Sequence, residues 1–392
     1  MTICILTPRY PFPENGGDVL RINNIARYLK SQGHRLLLLS LTETTQVAPP
    51  AEILYDEIVT VPLQKWRSYL NALRYLLLGK TIQCGYYHSA SYMRQLRRIH
   101  ETQRPDLYIS HLLRMTPYLS RLGVEQQSIV EMTDALSKTY TLASQSKGNL
   151  LMKFVYRLEQ KRIQRYEQQV IRRFSKVVLV SQSDIDYLQK VGNHHAPLAF
   201  HTNGVECASV LPASYNPLKI CFIGNMRTLQ NQDAVFHFVQ DIFPLILQKI
   251  PAAKFYIVGA QPSAKVQALA SDNIIVTGFV DDLHAAVSDA CLAVAPVRVA
   301  AGIQNEVLVA MGCGLPVVMT PTIAQAIPEV QDGVNAHVCA DAGQFAQTCV
   351  RLMTDAAHRK AMAVAGHDMV VHAYSWNEKL AGYEKLTYRE KW

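Results

Sequence analysis

The chain has 392 residues, of which 49% are apolar and 18% are charged, and its formal net charge is +8. This composition excludes a disordered chain, which would combine low hydrophobicity with high charge, and the length predicts two or three domains with buried cores. No apolar run reaches the roughly 18 residues that span a bilayer, and the N-terminus has neither the basic start nor the long apolar core of a signal peptide.

The charge is divided unevenly along the chain. Residues 1–205 hold 26 Lys and Arg against 15 Asp and Glu, whereas residues 206–392 hold 13 against 16. A basic half joined to a mildly acidic half favours two surfaces with different partners, and an asymmetry that serves only solubility is the alternative. The eight cysteines include no CxxC pair, so neither a zinc site nor a disulfide framework is indicated, and a reducing cytoplasm is expected.

The first predicted elements alternate between strand and helix. Apolar strands at residues 3–7 and 35–41 enclose a turn-rich loop and a helix at 19–31. Strands that are apolar throughout are buried on both faces, which is typical of a parallel sheet covered by helices. Further strands are predicted at 58–61, 107–110, 128–132, 176–181 and 198–201.

The second half starts the same alternation again. A stretch at 206–217 with prolines and polar turn residues interrupts every element and separates the halves. We therefore expect an α/β protein with two Rossmann-like, doubly wound parallel-sheet domains, at 1–205 and 206–374, that face each other across a cleft. A C-terminal helix at 375–392 is expected to pack back on the first domain. Strands of the second domain are predicted at 219–224, 254–259, 274–278, 292–297 and 316–320.

A double-glycine turn follows the first predicted strand, at a position where open parallel sheets bind ligands. In Asn15-Gly16-Gly17-Asp18, the glycines let a ligand approach the backbone at a helix N-terminus, which favours anions. A turn capped by Asp18 is the alternative. The chain contains neither the dinucleotide fingerprint G-x-G-x-x-G nor a Walker A motif.

A longer and more specific motif spans residues 301–318, AGIQNEVLVAMGCGLPVV. Gly302 frees the start of a helix for a phosphate or a sugar hydroxyl, and Gly312 and Gly314 let the helix stop and turn into a strand that begins at Pro316. Together with the tandem sheets, this motif resembles the retaining glycosyltransferases of the GT-B fold in glycosyltransferase family 4. Its first five letters are similar to a subgroup of bacterial exopolysaccharide sugar transferases.

Other segments carry the same resemblance. Asn203-Gly204-Val205 is similar to the NGV element of the family, and residues 222–226 (FIGNM) are similar to the opening of its donor domain. The resemblance implies that 206–374 binds a nucleotide diphosphate sugar and that 1–205 is the acceptor side. The donor-binding residues predicted from the motifs and the resemblance are Gly16, Gly17, Asn203, Gly224, Arg227, Arg298, Gly302, Ile303, Gln304, Asn305 and Glu306.

Two of these residues are arginines placed after predicted strands. Arg227 follows the strand at 219–224 and Arg298 follows the strand at 292–297, where an arginine fork suits diphosphate oxygens. Solvation at the surface is the alternative for each. The resemblance implies a basic contact to the diphosphate shortly after Gly224, and Arg227 is the nearest match.

One departure from the family concerns the ribose. Family members usually carry two glutamates eight positions apart around the glycine-flanked helix, and here Ala301 and Val309 occupy those positions. Neither side chain accepts a hydrogen bond. Glu306 lies three positions before Val309 on the same helix, so we expect it to take part of the lost role, with an exposed helix glutamate as the alternative.

His111 and Asp134 are the predicted catalytic residues. They end neighbouring strands, where a histidine and a carboxylate can orient an acceptor or take its proton, and family members often place a His and an Asp correspondingly. A structural histidine is the alternative. The histidines show no metal-ligand spacing, so neither a metal nor a cofactor is expected beside the donor substrate.

A helix predicted at residues 66–80 combines cationic residues with an aromatic and aliphatic face. This pattern favours contact with an anionic membrane, and a solvated or core-packing helix is the alternative. Residues 153–176 are also basic. No nucleic-acid recognition module occurs, so nucleic acid is not expected as a partner.

These observations predict a glycosyltransferase that moves a sugar from a nucleotide diphosphate sugar to a saccharide or lipid-linked saccharide acceptor. The resemblance implies retention of anomeric configuration and a role in bacterial surface polysaccharide synthesis, as for a capsule or lipopolysaccharide. The expected location is the cytoplasm, with peripheral contact to the inner face of the cell membrane. Two alternatives stay open, a GT-B sugar-nucleotide epimerase and a catalytically silent homologue that binds a sugar nucleotide.

Overall fold

The computed structural model describes residues 1–14, 16–43, 53–145, 150–192, 198–298 and 304–388. The chain divides into two compact units. Unit 1 comprises Met1–Asn203 with Leu380–Trp392, and unit 2 comprises Gly204–Lys379. Each unit has its own sheet, whose strands are apolar and pack against apolar helix faces on both sides.

Unit 1 contains a seven-stranded sheet in the order β3-β2-β1-β4-β5-β6-β7, with every pair parallel. The strands are β1 Thr2–Thr7, β2 Arg35–Thr42, β3 Glu57–Pro62, β4 Leu107–His111, β5 Ser128–Thr133, β6 Lys176–Leu179 and β7 Leu198–Phe200. The helices are α1 Gly17–Ser31, α2 Lys65–Leu77, α3 Ile82–Tyr86, α4 Ala90–Gln103, α5 Thr116–Leu122, α6 Leu136–Gln145, α7 Leu150–Arg173 and α8 Gln182–Gly192.

Unit 2 contains a six-stranded parallel sheet in the order β10-β9-β8-β11-β12-β13. The strands are β8 Asn216–Ile223, β9 Lys254–Val258, β10 Ile274–Gly278, β11 Ala290–Ala295, β12 Val317–Met319 and β13 His337–Val338. The helices are α9 Leu229–His237, α10 Phe243–Leu247, α11 Ala264–Gln267, α12 Leu283–Val287, α13 Asn305–Gly312, α14 Pro321–Ala324, α15 Ala342–Thr354, α16 Ala356–Tyr374 and α17 Trp376–Lys379.

The predicted α/β class with two doubly wound parallel sheets is confirmed. In each sheet the strand order reverses beside the first strand, between β1 and β4 in unit 1 and between β8 and β11 in unit 2. Such a reversal opens a crevice at the carboxyl ends of the two strands, because the loops that follow them run to opposite faces of the sheet. The fold therefore gives each unit one preferred place for a ligand.

The predicted C-terminal helix at 375–392 is wrong in its extent. The chain forms only the short α17, followed by a 3₁₀ turn at Tyr383–Thr387. Gly382 between them has φ +83, a left-handed conformation that ends a helix. The turn is held in unit 1 by Lys176, whose ammonium donates to the backbone carbonyls of Leu386 and Tyr388.

The helical segment that follows β8 is irregular. It begins at Leu229, and a π-helical turn at Phe238–Ile242 separates α9 from α10. Pro244 lies two positions after this turn, and a proline in a helix removes one backbone donor and crowds the preceding turn. Cys4, Cys221 and Cys291 lie in the strands and are each 0% exposed, so they act as small buried hydrophobic residues.

Candidate functional site

The carboxyl-end crevice of unit 1 is lined by the loops after β1 and β4. Gly16 and Gly17 lie at the start of α1, and His111 is the last residue of β4. In the parallel register of β4 and β5, His111 is the partner of Glu131. The first glycine turn and the predicted catalytic histidine are therefore placed at the strand reversal of the same sheet.

His111 is a buried histidine with an unusual environment. The residue is only 2% exposed, and neither ring nitrogen has a hydrogen-bond partner among the described residues. Burial lowers the pKa of His111 to about 3, and the charges of Arg114, Arg21 and Arg9 act in the same direction against that of Asp18. The imidazole is neutral at pH 7, with one donor and one acceptor free for a ligand.

At the carboxyl ends of β4 and β5, the backbone has a conformation that favours glycine. Leu112, directly after His111, has φ +71, and Thr133, directly before Asp134, has φ +69. Non-glycine residues in this region cost free energy, and such strain concentrates where a side chain must be aimed. Both turns thus re-aim the chain at the residues predicted to be catalytic.

Asp134 itself is exposed, so it differs from His111. Partial desolvation and the carboxylate of Asp184 raise the pKa of Asp134, whereas Arg21 and Lys138 lower it. A carboxylate of raised pKa is a better proton acceptor than an ordinary one. The environment of Asp134 therefore suits the acid–base role more than that of His111 does.

The double-glycine turn leaves the backbone at the start of α1 without side chains. Gly16 has φ +120, and a Cβ on it would lie 2.9 Å from Nη2 of Arg9, whereas Gly17 has open space around it. Arg9 donates from Nε to Asp18 over 3.1 Å and makes a second, shorter contact from Nη2. Asp18 does not cap the helix, contrary to the alternative considered above, because α1 has Gly16 as its N-cap without a side-chain hydrogen bond.

A buried polar cluster lies behind this crevice. Arg21 and Glu131 are each fully buried and form an ion pair in which Nε lies 2.7 Å from Oε2. Arg21 Nη1 donates to Oδ1 of Asn203 over 3.0 Å, and the phenol of Tyr383 lies against Glu131. The predicted donor residue Asn203 is therefore held by a buried cation.

Arg21 was not among the predicted site residues, although the sequence carries a signal for it. The residue occurs on the apolar face of α1, beside Ile22 and Ile25, where a cation has to find a buried partner. The pattern does not reveal the partner, because Glu131 is 110 positions away.

The corresponding crevice of unit 2 is lined by the loops after β8 and β11. Gly224 directly follows the first of these strands, and a Cβ on Gly259 would come within 1.9 Å of its carbonyl oxygen. The Gly224 amide donates to Val258, and the Gly259 amide donates to Gly278. Backbone hydrogen bonds thus join the ends of β8, β9 and β10, and the close approach of Gly259 to the Gly224 carbonyl leaves no room for a side chain on Gly259.

The two predicted arginines lie on these loops but differ in their contacts. Arg298 donates to the carboxylate of Asp233 from Nε over 3.1 Å and from Nη2 over 2.5 Å, and the two side chains form an exposed bidentate ion pair. Arg227 is exposed, and its side chain forms no ion pair with any residue that the structure describes. Its backbone amide donates to Oδ1 of Asn225, which fixes the turn after Gly224. Arg227 is therefore the cation that is available to an anion without exchange of a partner.

The glycine-flanked helix α13 starts at the same edge. Gln304 and Glu306 line a small cavity of about 20 Å³ with Asn231 and the ends of β8 and β11, and Asn305 is exposed. Gln304 accepts a hydrogen bond from Gln230 over 3.0 Å. Glu306 is half-buried, so it is not the exposed helix glutamate of the alternative. Gly302, Ile303 and Ala301 lie outside the described residues.

Metal binding and membrane spanning bear on function as well. Within the described ranges, no group of three or more His, Cys, Asp or Glu side chains is arranged to hold a metal ion. Among the helices described, none has both the length and the apolar character that a membrane span requires.

A comparison with known protein families matches one segment of the chain. Residues 217–355, which run from β8 to α15, match the family model described as "Glycosyl transferases group 1". A search of curated proteins gives no match. The matched segment is a glycosyltransferase domain, and the enzyme class expected from the sequence, glycosyltransferase, is confirmed.

Solved structures give matches over nearly the whole chain. HepE of Anabaena in complex with UDP has 15% sequence identity and a TM-score of 0.57, over 98% of this chain and 100% of that chain. Sucrose-phosphate synthase of Thermosynechococcus elongatus has 13% identity and a TM-score of 0.59, over 98% of both chains. WaaG, a glycosyltransferase involved in lipopolysaccharide biosynthesis, has 17% identity and a TM-score of 0.57, over 97% of this chain and 99% of that chain. At these identities the likeness shows the fold, which is GT-B.

Proposed function

We propose that this glycosyltransferase moves a sugar from a nucleoside diphosphate sugar to a saccharide or lipid-linked saccharide, with retention of anomeric configuration. The observation that carries the proposal is the carboxyl edge of the group 1 domain, where Gly224 and Arg227 follow β8 and the start of α13 lines a cavity with the ends of β8 and β11. HepE has been solved with UDP-glucose, which makes a uridine diphosphate sugar the first donor to test. We also propose that the enzyme is a member of glycosyltransferase family 4.

The proposed donor contacts follow from charge. The bond between the anomeric carbon and the diphosphate oxygen breaks, and the leaving diphosphate gains negative charge. We assign the stabilisation of that charge to Arg227 and the N-terminal amides of α13, and to Arg298 as a second guanidinium once the diphosphate competes with Asp233. We assign this task to these protein groups and not to a bound metal or cofactor. Unchanged transfer in EDTA is the expected result.

The proposed acceptor contacts come from unit 1. His111 is neutral and keeps both ring nitrogens for hydrogen bonds, which suits it to orient sugar hydroxyls. Asp134 is exposed and has a raised pKa, which suits it to take the proton of the attacking hydroxyl. Gly16 and Gly17 give a sugar or phosphate access to the backbone at the start of α1. Glu306 is assigned to the ribose, since Val309 contributes no hydrogen bond.

The proposed setting is the synthesis of a bacterial surface polysaccharide at the cytoplasmic face of the cell membrane. A lipid-linked acceptor lies in that membrane, so the enzyme has to reach its surface. Support comes from α2, which exposes large apolar side chains between the cationic residues Arg67 and Arg74. We assign the peripheral contact to this helix.

The test of the reaction begins with a thermal-shift screen of UDP, GDP and dTDP sugars, because a ligand that binds only the folded state stabilises it. Purified protein is then incubated with the best donor, with and without saccharide acceptors, and products are separated by mass and anomeric configuration. Transfer supports the proposal. Interconversion of the free donor sugar without an acceptor would identify an epimerase. Donor binding without turnover would identify a catalytically silent homologue.

A matched pair of variants tests the role of the arginine. Arg227→Gln is expected to weaken donor binding at least tenfold, because a charge-assisted hydrogen bond is worth roughly 1.5–3 kcal/mol. Arg351→Gln removes an exposed arginine on α15 and is expected to leave donor binding unchanged. Equal effects of the two substitutions would contradict the assignment.

A further inference from the structure

The helix α2 carries an apolar stripe that the described part of the chain leaves more than half exposed. Its five residues follow the spacing of one helix face, and each is 53% to 79% exposed. They are Trp66, Tyr69, Leu70, Leu73 and Leu77. The opposite face is buried through Ser68, Ala72 and Tyr75. The helix therefore has one face in the core and a second apolar face outside, which is unusual for a surface helix of a protein in water.

The exposure of this stripe does not come from loose attachment of α2. Gly85 of α3 lies so close to α2 that a Cβ on it would come within 2.8 Å of the backbone oxygen of Asn71 and of Cβ of Tyr75. The Asn71 amide also donates to the backbone oxygen of His88 over 3.0 Å. The stripe is thus presented on a helix that is packed firmly against its neighbour.

A basic cavity of about 500 Å³ opens at the C-terminal end of the same helix. Tyr75, Gly79 and Lys80 form one wall, and α5 and α7 form the others. Five cationic side chains line it and no acidic side chain does, the cations being Lys80, Arg121, Arg162, Arg165 and Arg173. A volume of this size is in the range of small-molecule sites.

None of these five cations forms an ion pair within the described part of the chain. Nη1 of Arg162 is buried without a hydrogen-bond partner among the described residues. Arg121 donates only to uncharged groups, the phenol of Tyr75 and the ring of His88. Glu159, a buried acid one helical turn before Arg162, accepts from the amide of Ile82, and the charge of Arg162 is among the influences that lower its pKa against the effect of burial. The cavity therefore holds an excess of positive charge that calls for an anion.

The cavity is separate from the crevice assigned to the reaction. Arg173 ends α7 just before the amino end of β6, and Arg121 lies in the last turn of α5, before the amino end of β5. His111 and Asp134 lie at the carboxyl ends of the strands, on the opposite edge of the sheet. A ligand in the cavity would not be the group that reacts.

We propose that the cavity binds the phosphate headgroup of an anionic membrane phospholipid while the stripe of α2 lies in the interfacial layer of the bilayer. The stripe ends at Leu77, and Gly79 and Lys80 line the cavity, so the apolar stripe reaches the end of α2 at which the cationic cavity opens. An anionic amphiphile matches both features, whereas a soluble anion leaves the stripe unexplained. This inference rests on the membrane contact of the proposed function but not on its chemistry.

The experiment uses the full chain and vesicles of phosphatidylcholine with or without 30% phosphatidylglycerol, an amount on the scale of anionic cytoplasmic leaflets. Co-sedimentation at physiological salt measures the bound fraction. Arg165→Gln with Arg173→Gln is expected to weaken binding to the anionic vesicles about thirtyfold or more, from the loss of two cations near the surface. Arg97→Gln with Arg98→Gln, two exposed arginines of α4 outside the cavity, removes the same charge and is expected to have a much smaller effect.

A second pair of variants tests the stripe. Leu70→Gln with Leu77→Gln is expected to reduce vesicle binding, whereas Leu229→Gln, an exposed leucine of unit 2, is not. Equal losses in both arginine pairs would overturn the headgroup site in favour of diffuse charge. Absence of vesicle binding, or self-association through α2 in its place, would overturn the whole inference. Donor affinity of the cavity variants is expected to equal that of the unaltered protein, which separates failure here from failure of the proposed reaction.

Discussion

Nε of Arg21 lies 2.7 Å from Oε2 of Glu131, and both side chains are fully buried in unit 1. The pair joins the first helix to the strand next to His111 and holds Asn203 through the second arm of the guanidinium. A buried ion pair is costly to form but much more costly to break from one side, since the remaining charge stays buried without a partner. The pair is therefore a fixed point of the unit 1 crevice.

The first prediction concerns this pair. Glu131→Gln keeps the shape of the side chain but leaves the Arg21 charge uncompensated, so we expect the free energy of unfolding to fall by about 3–5 kcal/mol. Urea denaturation followed by circular dichroism measures the change. As a control, Glu57→Gln breaks the exposed pair with Arg35, whose atoms are 3.7 Å apart, and is expected to cost about 0–1 kcal/mol. Similar losses in both variants would show that burial of the first pair has no special consequence.

The second prediction uses the lowered pKa of His111. The folded value is about 3 and an unfolded histidine titrates near 6.5, so between these pH values the unfolded state binds more protons. Stability is then lost as the pH falls below about 6.5, with a limiting slope of about 1.4 kcal/mol per pH unit. His111→Gln removes this titration. As the pH falls from 6.5 to 4.5, the free energy of unfolding is therefore expected to decrease less in this variant than in the unaltered protein.

Chemical denaturation of both proteins at pH 7.5, 5.5 and 4.5 measures this difference, and the carboxylates that also titrate cancel in the comparison. A difference in stability that stays constant over the three pH values would contradict the buried, neutral state of His111. Because the amide of glutamine retains a donor and an acceptor, transfer activity is expected to fall less in His111→Gln than in His111→Ala.

The strands and their carboxyl edges could be predicted from the sequence because they depend on local patterns. An apolar run bounded by turn residues predicts a strand wherever it lies. The pattern alone therefore assigns His111 and Gly224 to strand ends, and Gly16 and Arg298 to loops that follow strands. The edge of a parallel sheet then brings such residues together. The alternation of strands and helices is thus enough to give both the fold and the location of the candidate sites.

The contacts of these residues could not be predicted, because they join distant positions. Arg298 and Asp233 are 65 positions apart, and nothing near either residue indicates the other. The positive φ of Leu112 and Thr133 is equally hidden, since neither residue type favours it. The extent of the C-terminal helix was mistaken because the helical spacing of Trp376, Leu380, Tyr383 and Leu386 continues across the break at Gly382.

The third prediction concerns the contact between two glycines of unit 2. Gly259→Ala places a Cβ within 1.9 Å of the carbonyl oxygen of Gly224, so the ends of β8 and β9 have to separate. Gly333→Ala has a positive φ of +76 but open space, and is expected to cost only the left-handed penalty of about 1–2 kcal/mol. Gly259→Ala is expected to add about 1–3 kcal/mol of overpacking to its backbone cost. Thermal unfolding of both variants tests the order, and equal melting temperatures would contradict it.

The fourth prediction concerns the partner of Arg298. If the diphosphate takes this arginine from Asp233, then Arg298→Gln weakens UDP binding about tenfold and Asp233→Asn strengthens it, because the guanidinium no longer has to leave a carboxylate. As a control, Asp289→Asn removes another exposed carboxylate. Asp289 lies at the amino end of β11 and pairs with Lys219, so its removal is expected to leave UDP affinity unchanged.

A double-mutant cycle separates competition for the arginine from a general effect of charge. Titration calorimetry with UDP is carried out on the two single variants and on Asp233→Asn with Arg298→Gln combined. In the absence of Arg298, the removal of Asp233 is expected to have little effect on affinity, since the guanidinium it held is gone. If Asp233→Asn strengthens binding equally in both backgrounds, its carboxylate acts by simple repulsion of the diphosphate, and Arg298 is not a donor ligand.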